Sequence, residues 1–169
     1  MSAFEVELSG RIAAPPETAW AMLADRDAVS HWLEDVESVS GDGDRLLVRY
    51  APGADGEWIE GTIRKLVPRE RLALALSQPS RLLSQADVDL ELGPHDGGTS
   101  YRLKVACHAR PLWSVLSPFL RIRTQVALHR AVRGFRAELD ARVAAERRGA
   151  AGGAVALAKS ALPTPVGAG

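Results

Sequence analysis

Apolar and polar residues alternate along much of the first 110 positions, which is the pattern of strands with one buried face. Near the start, Phe4, Val6 and Leu8 are separated by Glu5 and Glu7. The same period of two recurs in five later segments, which are bounded by turn-forming Gly, Pro and Asp: residues 45–50, 58–66, 72–77, 86–92 and 101–108. The pattern therefore predicts a sheet of several short antiparallel strands.

The last two predicted strands can be paired in register. Their apolar residues share one face if Leu90 lies opposite Leu103. That register also pairs the remaining residues sensibly: Val88 with Val105, Glu91 with Arg102, and Asp89 with Lys104. Agreement between the apolar and the charge pattern predicts an antiparallel hairpin whose charged face meets solvent.

Helical patterns flank the strands. Pro16 and Glu17 suit the first turn of a helix that carries Trp20, and a second short helix is predicted over residues 27–33. A long helix is predicted over residues 118–147, with an apolar stripe at Leu128, Val132, Phe135, Leu139 and Val143. The prediction is one domain over residues 1–147, followed by a flexible tail rich in Ala, Gly and Pro over residues 148–169.

Composition narrows the class of protein. The chain has 169 residues, with 21 basic and 21 acidic side chains. This balance argues against bulk binding to nucleic acid or to an anionic membrane, and leaves a local basic patch open. A single cysteine excludes a disulfide scaffold, and the four histidines lack metal-ligand spacing, so neither a metal nor another cofactor is predicted. No apolar run could span a bilayer and the first residues lack a signal-peptide pattern, which predicts a cytoplasmic protein.

Three local motifs resemble the START-like (SRPBCC, Bet v 1-like) superfamily. Residues 12–20, Ile-Ala-Ala-Pro-Pro-Glu-Thr-Ala-Trp, resemble its opening segment. Residues 25–32 resemble the Asp…Trp helix that follows, and Gly97-Gly98-Thr99 resembles the turn between the last two strands. The resemblance spans residues 4–146 and implies an α+β helix-grip fold, in which a curved antiparallel sheet wraps around a long C-terminal helix and encloses a cavity.

The resemblance also implies a ligand class. Members of the superfamily bind polyketides, lipids and other apolar molecules, and some are polyketide cyclases that promote aldol closure and dehydration. We expect an enzyme of that kind, with a non-catalytic carrier of hydrophobic ligands as the alternative. A protein-interaction module is a third class. The basic long helix suggests an acyl-carrier protein as a possible partner, against the simpler interpretation of a solvated helix face.

The candidate catalytic residues lie on the strand over residues 58–66. Thr62-Ile63-Arg64 resembles a Ser-x-Arg segment of polyketide cyclases, which implies that Arg64 points into the pocket with Thr62 beside it. A fixed guanidinium could stabilise an enolate, and Tyr50 or Tyr101 could donate a proton across from it. In the simpler interpretation, both tyrosines are wall residues of the cavity. In the alternative, the polar residues of this strand meet solvent and its isoleucines face the cavity.

The remaining candidates are substrate-contacting residues, expected from their size or their place on an apolar face: Trp20, Trp32, Trp58, Glu60, Leu103, Val105, Trp113, Leu128 and Phe135. Glu60 is also the expected ion partner of Arg64, because the two share a strand face. Cys107 and His108 are neighbours in a strand and point to opposite faces, so they cannot form a nucleophile–base pair.

Overall fold

The computed structural model describes residues 3–52 and 58–160, and of residues 153–160 only the backbone. Seven strands form one antiparallel sheet in the order β1–β7–β6–β5–β4–β3–β2. The strands are β1 (Ala3–Ile12), β2 (Val36–Ser40), β3 (Arg45–Tyr50), β4 (Trp58–Val67), β5 (Arg71–Ser77), β6 (Leu83–His95) and β7 (Gly98–Ala109). Strand β2 was not predicted from the sequence, and the other six were.

Three α-helices and two 3-10 helices complete the fold over the described residues. Helix α1 (Pro16–Ala24) begins with a proline at its first turn, as predicted. A 3-10 helix (Arg26–Ala28) leads directly into the short α2 (Val29–Trp32), and a second one (Pro111–Leu116) precedes α3 (Ser117–Ser160). The predicted helix-grip fold is confirmed, because the curved sheet embraces the long C-terminal helix.

The β6–β7 hairpin has the register that its sequence predicts. Leu90 lies opposite Leu103 and Val88 opposite Val105, while Glu91 faces Arg102 and Asp89 faces Lys104. The apolar pairs therefore lie on the concave inner face of the sheet, and the charged pairs lie on its convex outer face. Because each strand pairs in register with its neighbour, the orientation of this hairpin determines which side chains of the other strands lie on the inner face.

Helix α3 is longer than predicted and has 44 residues. It continues past Arg147 to Ser160, so the first part of the expected tail is helical in its backbone. The remainder of that segment, residues 161–169, lies outside the described residues. The division between a domain and a C-terminal tail stays a prediction.

The main core lies where α3 crosses β1, α1 and α2. Phe135 and Leu139 pack there with Ile12, Ala19 and Met22. Gly134 allows this close contact, because a Cβ at that position would lie 2.2 Å from the carbonyl oxygen of Trp32. The helix is thereby anchored at one side of the sheet. Within the described part of the chain, no helix is long and apolar enough to cross a membrane.

Candidate functional site

The inner face of the sheet carries apolar side chains that retain solvent-accessible surface. Partial exposure is found at Leu46, Val48, Ile63, Leu72, Leu74, Leu76, Val88, Leu90 and Leu103. The strand register places these residues on the same face as the buried Ile59 and Val105. A closely packed core would bury them, so accessible space lies on the concave side of the sheet. We call this space and its apolar lining the concave pocket.

The position of α3 explains why the pocket is open. Among the strands of the sheet, α3 lies closest to the edge strand β1. The central strands β4 and β5 lie on the other side of the concavity. Leu128 of α3 packs against a buried cluster of Ala86, Val105 and Cys107. The helix therefore closes one side of the concavity and leaves the apolar residues of β3–β5 only partly covered.

Strand β4 presents its polar residues outward, which corrects the predicted catalytic site. Ile59, Gly61 and Ile63 face inward, while Glu60 and Thr62 are exposed. The register of β4 against β5 shifts between Ile63 and Lys65, which makes Arg64 the extra residue of a β-bulge. The structure therefore has the alternative arrangement named above, in which the isoleucines of β4 face the cavity and its polar residues meet solvent.

Arg64 therefore lies outside the pocket. Its side chain is 62% exposed and its Nη2 lies 3.8 Å from Oδ1 of Asp87, a residue of the outer face of β6. Glu60 is not its partner. Trp58, predicted to contact substrate, is also exposed on the outer face and lies under the guanidinium of Arg49, 5.3 Å from its ring centroid. The predicted grouping of Arg64, Thr62, Glu60 and Trp58 in a pocket is wrong.

Tyr50 is a polar side chain on the inner face. It ends β3 opposite Val36 and is partly buried. Burial raises the pKa of its phenol above the ordinary value, and the nearby carboxylate of Asp35 raises that pKa further. The hydroxyl is therefore neutral at physiological pH and can donate a hydrogen bond to a carbonyl oxygen in the pocket.

Tyr101, the other predicted proton donor, is engaged with α3. Its Oη lies 3.4 Å from Nη2 of Arg136, and the guanidinium carbon lies 5.6 Å from its ring centroid. The same Nη2 donates a hydrogen bond to the carbonyl oxygen of Arg11, at 2.9 Å. Tyr101 thus joins β7 to α3 at the edge of the sheet. The basic side chains of this helix were expected on a solvated face or against an acidic partner, and the sequence carries no signal for this contact of Arg136.

Most of the predicted substrate-contacting residues are core or surface residues. Val105 and Phe135 are buried in the two core clusters, while Leu103 and Leu128 are partly exposed beside one of them. Trp20 is partly buried on α1, and Trp113 is exposed on the second 3-10 helix. The structure thus brings Leu103 and Leu128 to the pocket wall and leaves Trp113 outside the core.

Trp32 packs edge-on against Phe135, with ring centroids 5.2 Å apart and planes at 88°. Its Nε1 is buried, and no acceptor among the described residues lies within hydrogen-bond distance. A buried donor without a partner is unusual in a folded protein.

The thiol of Cys107 is a poor candidate nucleophile. The residue is 1% exposed, and burial raises the pKa of its thiol to about 11, although a hydrogen bond with Thr124 opposes the shift. It is therefore protonated at neutral pH. Among the described residues, no group of three or more His, Cys, Asp or Glu side chains could hold a metal ion. The lining of the pocket is thus apolar, with Tyr50 as a polar side chain on the same face.

Solved structures with the same fold are similar to this chain at low sequence identity. A START superfamily protein from Mycobacterium smegmatis superposes with a TM-score of 0.67 at 13% identity, over 80% of this chain and 97% of its own. Ara h 8.0201 gives a TM-score of 0.63 at 12% identity, over 83% and 99%. CalU16 from Micromonospora echinospora gives 0.60 at 19% identity, over 79% and 72%. At these identities the likeness shows the fold alone.

Comparison with curated protein sequences finds no significant match. A family model, in contrast, matches residues 3–145, which include the whole sheet, α1, α2 and most of the described part of α3. This family model describes polyketide cyclases, dehydrases and lipid-transport proteins. The chain belongs to the polyketide cyclase/dehydrase and lipid transport family.

Proposed function

We propose that this protein binds an apolar small molecule in the concave pocket and carries it without chemical change. The observation behind the proposal is the row of partly exposed leucine, isoleucine and valine side chains on the inner face of β3–β6. A ligand that removes apolar surface from water gains roughly 25 cal/mol per Å². Covering about 200 Å² of this lining would therefore contribute about 5 kcal/mol to binding. Family membership supports a ligand of the polyketide or lipid class.

The carrier function is favoured over catalysis by where the reactive groups lie. Arg64 and Thr62, the side chains expected to polarise a carbonyl, lie on the outer face. Cys107 is buried and protonated. Aldol closure requires a base to remove an α-proton and a donor to stabilise the enolate. Among the described strand residues of the inner face, no carboxylate or histidine could act as that base, and Asp35, the carboxylate near Tyr50, is exposed and lies outside the sheet.

Cyclase or dehydratase activity is the second candidate, and Tyr50 is the observation in its favour. A neutral phenol on the inner face could donate a hydrogen bond to the enolate oxygen of a poly-β-ketone. In this second candidate function, the carboxylate of Asp35 near Tyr50 would accept the α-proton. Tyr50→Phe would then lower the rate by about 10²-fold or more, as for other oxyanion donors. Ligand affinity would change little.

Ligand binding can be tested with a substitution that fills the pocket and a matched one that does not. Ile63 is partly exposed on the inner face of β4, and the neighbouring Thr62 is exposed on its outer face. We expect Ile63→Trp to reduce the binding of an apolar fluorescent probe such as anilinonaphthalene sulfonate. Thr62→Trp should leave that binding unchanged. Equal probe binding by both variants and the parent protein, with normal melting curves, would refute the proposal.

Native mass spectrometry of the freshly purified protein would identify the ligand class. An apolar molecule that copurifies with the parent protein but not with Ile63→Trp is the expected result. Conversion of a poly-β-ketone by the parent protein, lost in Tyr50→Phe, would establish the cyclase function over the carrier function.

A further inference from the structure

The segment that joins the sheet to α3 exposes an unusual number of large apolar side chains. Leu112 is 91% exposed, Val115 86%, Ile122 62% and Phe119 59%. Trp113, Leu116 and Val126 are also exposed and belong to the same segment. We call these seven residues the end surface. Soluble monomers rarely expose a contiguous apolar patch of this kind, and such patches usually mark an interaction site.

These side chains point outward because α3 has apolar residues on two faces. Leu120 is 2% exposed and faces the fold, and Phe135 and Leu139 continue this buried face. Phe119, Ile122 and Val126 recur at intervals of three and four residues on a different face, which meets solvent. The first three turns of α3 thus have more apolar surface than the sheet can bury.

The chain segment that carries the end surface has charged side chains of one sign only. The sequence contains no acidic residue between Asp96 and Glu138. Six arginines lie in the second part of that interval: Arg110, Arg121, Arg123, Arg130, Arg133 and Arg136. The whole chain has a net charge of zero, so this concentration of positive charge is a local feature. A partner for this surface is expected to be both apolar and anionic.

We propose that the end surface docks on the interface of a lipid bilayer that contains anionic lipids. The apolar side chains would enter the boundary between headgroups and acyl chains, to a depth of about 5–10 Å. Trp113 would lie at headgroup level, where tryptophan is favoured. Arginines beside the apolar residues, such as Arg121, would contact the lipid phosphates, which accept bidentate hydrogen bonds from guanidinium groups.

Two features favour a bilayer over a protein partner. In a symmetric contact between two copies of this chain, the same surface would meet itself and bring arginines together without acidic residues between them. Leu112 and Val115 protrude almost completely into solvent. A fluid lipid phase accepts such protruding side chains, whereas a protein surface would need a matching cavity for each.

Docking would orient the sheet in a defined way. The backbone N–H of Arg110 donates to the carbonyl oxygen of Leu82, and Arg110 Nη2 donates to Oε1 of Gln78, at 3.0 Å. The end surface is therefore fixed to the turn between β5 and β6, where Arg81 adds a further positive charge. This proposal goes beyond ligand binding in the pocket, and it stands or fails independently of it.

Vesicle flotation of the full chain tests the docking. The protein should float with vesicles of equal parts phosphatidylglycerol and phosphatidylcholine, and not with phosphatidylcholine alone. Added salt should weaken binding, because it screens the contact between arginine and phosphate. The absence of flotation with the anionic vesicles at low salt would overturn the proposal.

Variants distinguish vesicle binding through the end surface from non-specific adsorption of the protein. Phe119→Ser combined with Ile122→Ser should reduce vesicle affinity about tenfold or more, since two large side chains no longer leave water. Arg121→Glu combined with Arg130→Glu should abolish the preference for anionic vesicles. The matched control is Leu66→Ser, because Leu66 is 54% exposed on β4, outside the end surface. An equal loss in this control would overturn the proposal.

Sedimentation of the same proteins tests whether a second copy of the chain or another protein binds the end surface instead of a bilayer. A concentration-dependent dimer that the Phe119→Ser, Ile122→Ser variant loses, without any vesicle binding by the parent chain, would assign the surface to self-association. Binding to an acidic acyl-carrier protein, with no binding to anionic vesicles, would assign it to a protein partner. Either result would overturn the membrane proposal.

Discussion

Tyr101 and Arg136 meet across the edge of the sheet, with Oη of Tyr101 3.4 Å from Nη2 of Arg136. They are 35 residues apart in the chain and join β7 to α3. Gly10, opposite Tyr101 on β1, makes room for both, because a Cβ there would lie 2.8 Å from the tyrosine Oη and 2.9 Å from the arginine Nη2. This contact helps to hold the long helix on the sheet and so defines one side of the concave pocket.

Gly10→Ala should therefore destabilise the fold. The added methyl group displaces Tyr101 or Arg136, and overpacking of this kind typically costs about 1–3 kcal/mol of unfolding free energy. Denaturant titration measures the loss. Gly149→Ala is the control, since a Cβ at that exposed helical position meets nothing within 4 Å and should stabilise the helix by up to about 1 kcal/mol. If Gly10→Ala were neutral, the strand and helix would have room that the structure does not show.

Arg64→Ala should change little. The ion pair of Arg64 with Asp87 is largely solvated, and exposed pairs of this kind contribute about 0–1 kcal/mol. Because the side chain lies on the outer face, binding of an apolar probe in the pocket should also be unchanged. Isothermal titration and thermal melting check both expectations. A large loss of ligand affinity in this variant would indicate that Arg64 contacts the ligand in the pocket.

Asp89 should contribute to the dependence of stability on pH. Its carboxylate accepts hydrogen bonds from Arg71 Nε at 2.9 Å and from Arg71 Nη2, and these bonds hold the pKa of Asp89 below its ordinary value. A group whose pKa is lowered in the folded state stabilises that state above the unfolded pKa of about 4, and this stability is lost as pH falls through the folded pKa. Asp89→Asn should lower stability at neutral pH and flatten its decline in acid.

Unfolding free energies measured between neutral and acidic pH provide the comparison. Asp140→Asn serves as the control, because Asp140 is exposed on α3. The interpretation would be contradicted if the two variants had the same acid profile.

Cys107 should react slowly with thiol reagents in the native protein. It is 1% exposed, and its pKa is raised to about 11, so the thiolate is scarce between pH 7 and 9. Labelling with a chromogenic disulfide should become fast only in denaturant, and its native rate should report local opening of the fold. Rapid labelling of the folded protein at pH 7 would show that the β7–α3 contact is looser than the structure indicates.

Removal of residues 149–169 should leave the fold almost as stable as before. Residues 149–152 are exposed, and the sequence from Gly149 onward has few large apolar side chains that could pack on the domain. We expect a change below about 1 kcal/mol in unfolding free energy, since surface changes away from the core are usually small. A fall of many degrees in melting temperature would show that this segment packs on the domain.

The periodic pattern of the sequence determined the architecture of this protein. Alternation in β6 and β7, together with the charge pairing of Asp89 with Lys104, was sufficient for the register that the structure shows. The proline at the start of α1 and the apolar stripe through Phe135 and Leu139 placed helices correctly. These signals are local, or involve strands joined by a short turn, and they are therefore visible in one chain.

Only the tertiary structure decided which face of β4 meets the ligand. A period of two divides a strand into two faces but does not orient them, and β4 has Trp58 and Thr62 on one face against Ile59 and Ile63 on the other. Pairing with β5, whose leucines lie on one side, and with Leu46 and Val48 of β3 turned the isoleucines inward. For the same reason, the sequence pattern could not predict the long-range contact of Tyr101 with Arg136 or the exposure of Phe119 on α3. Helical spacing identifies a face, whereas burial depends on which strands lie beneath it.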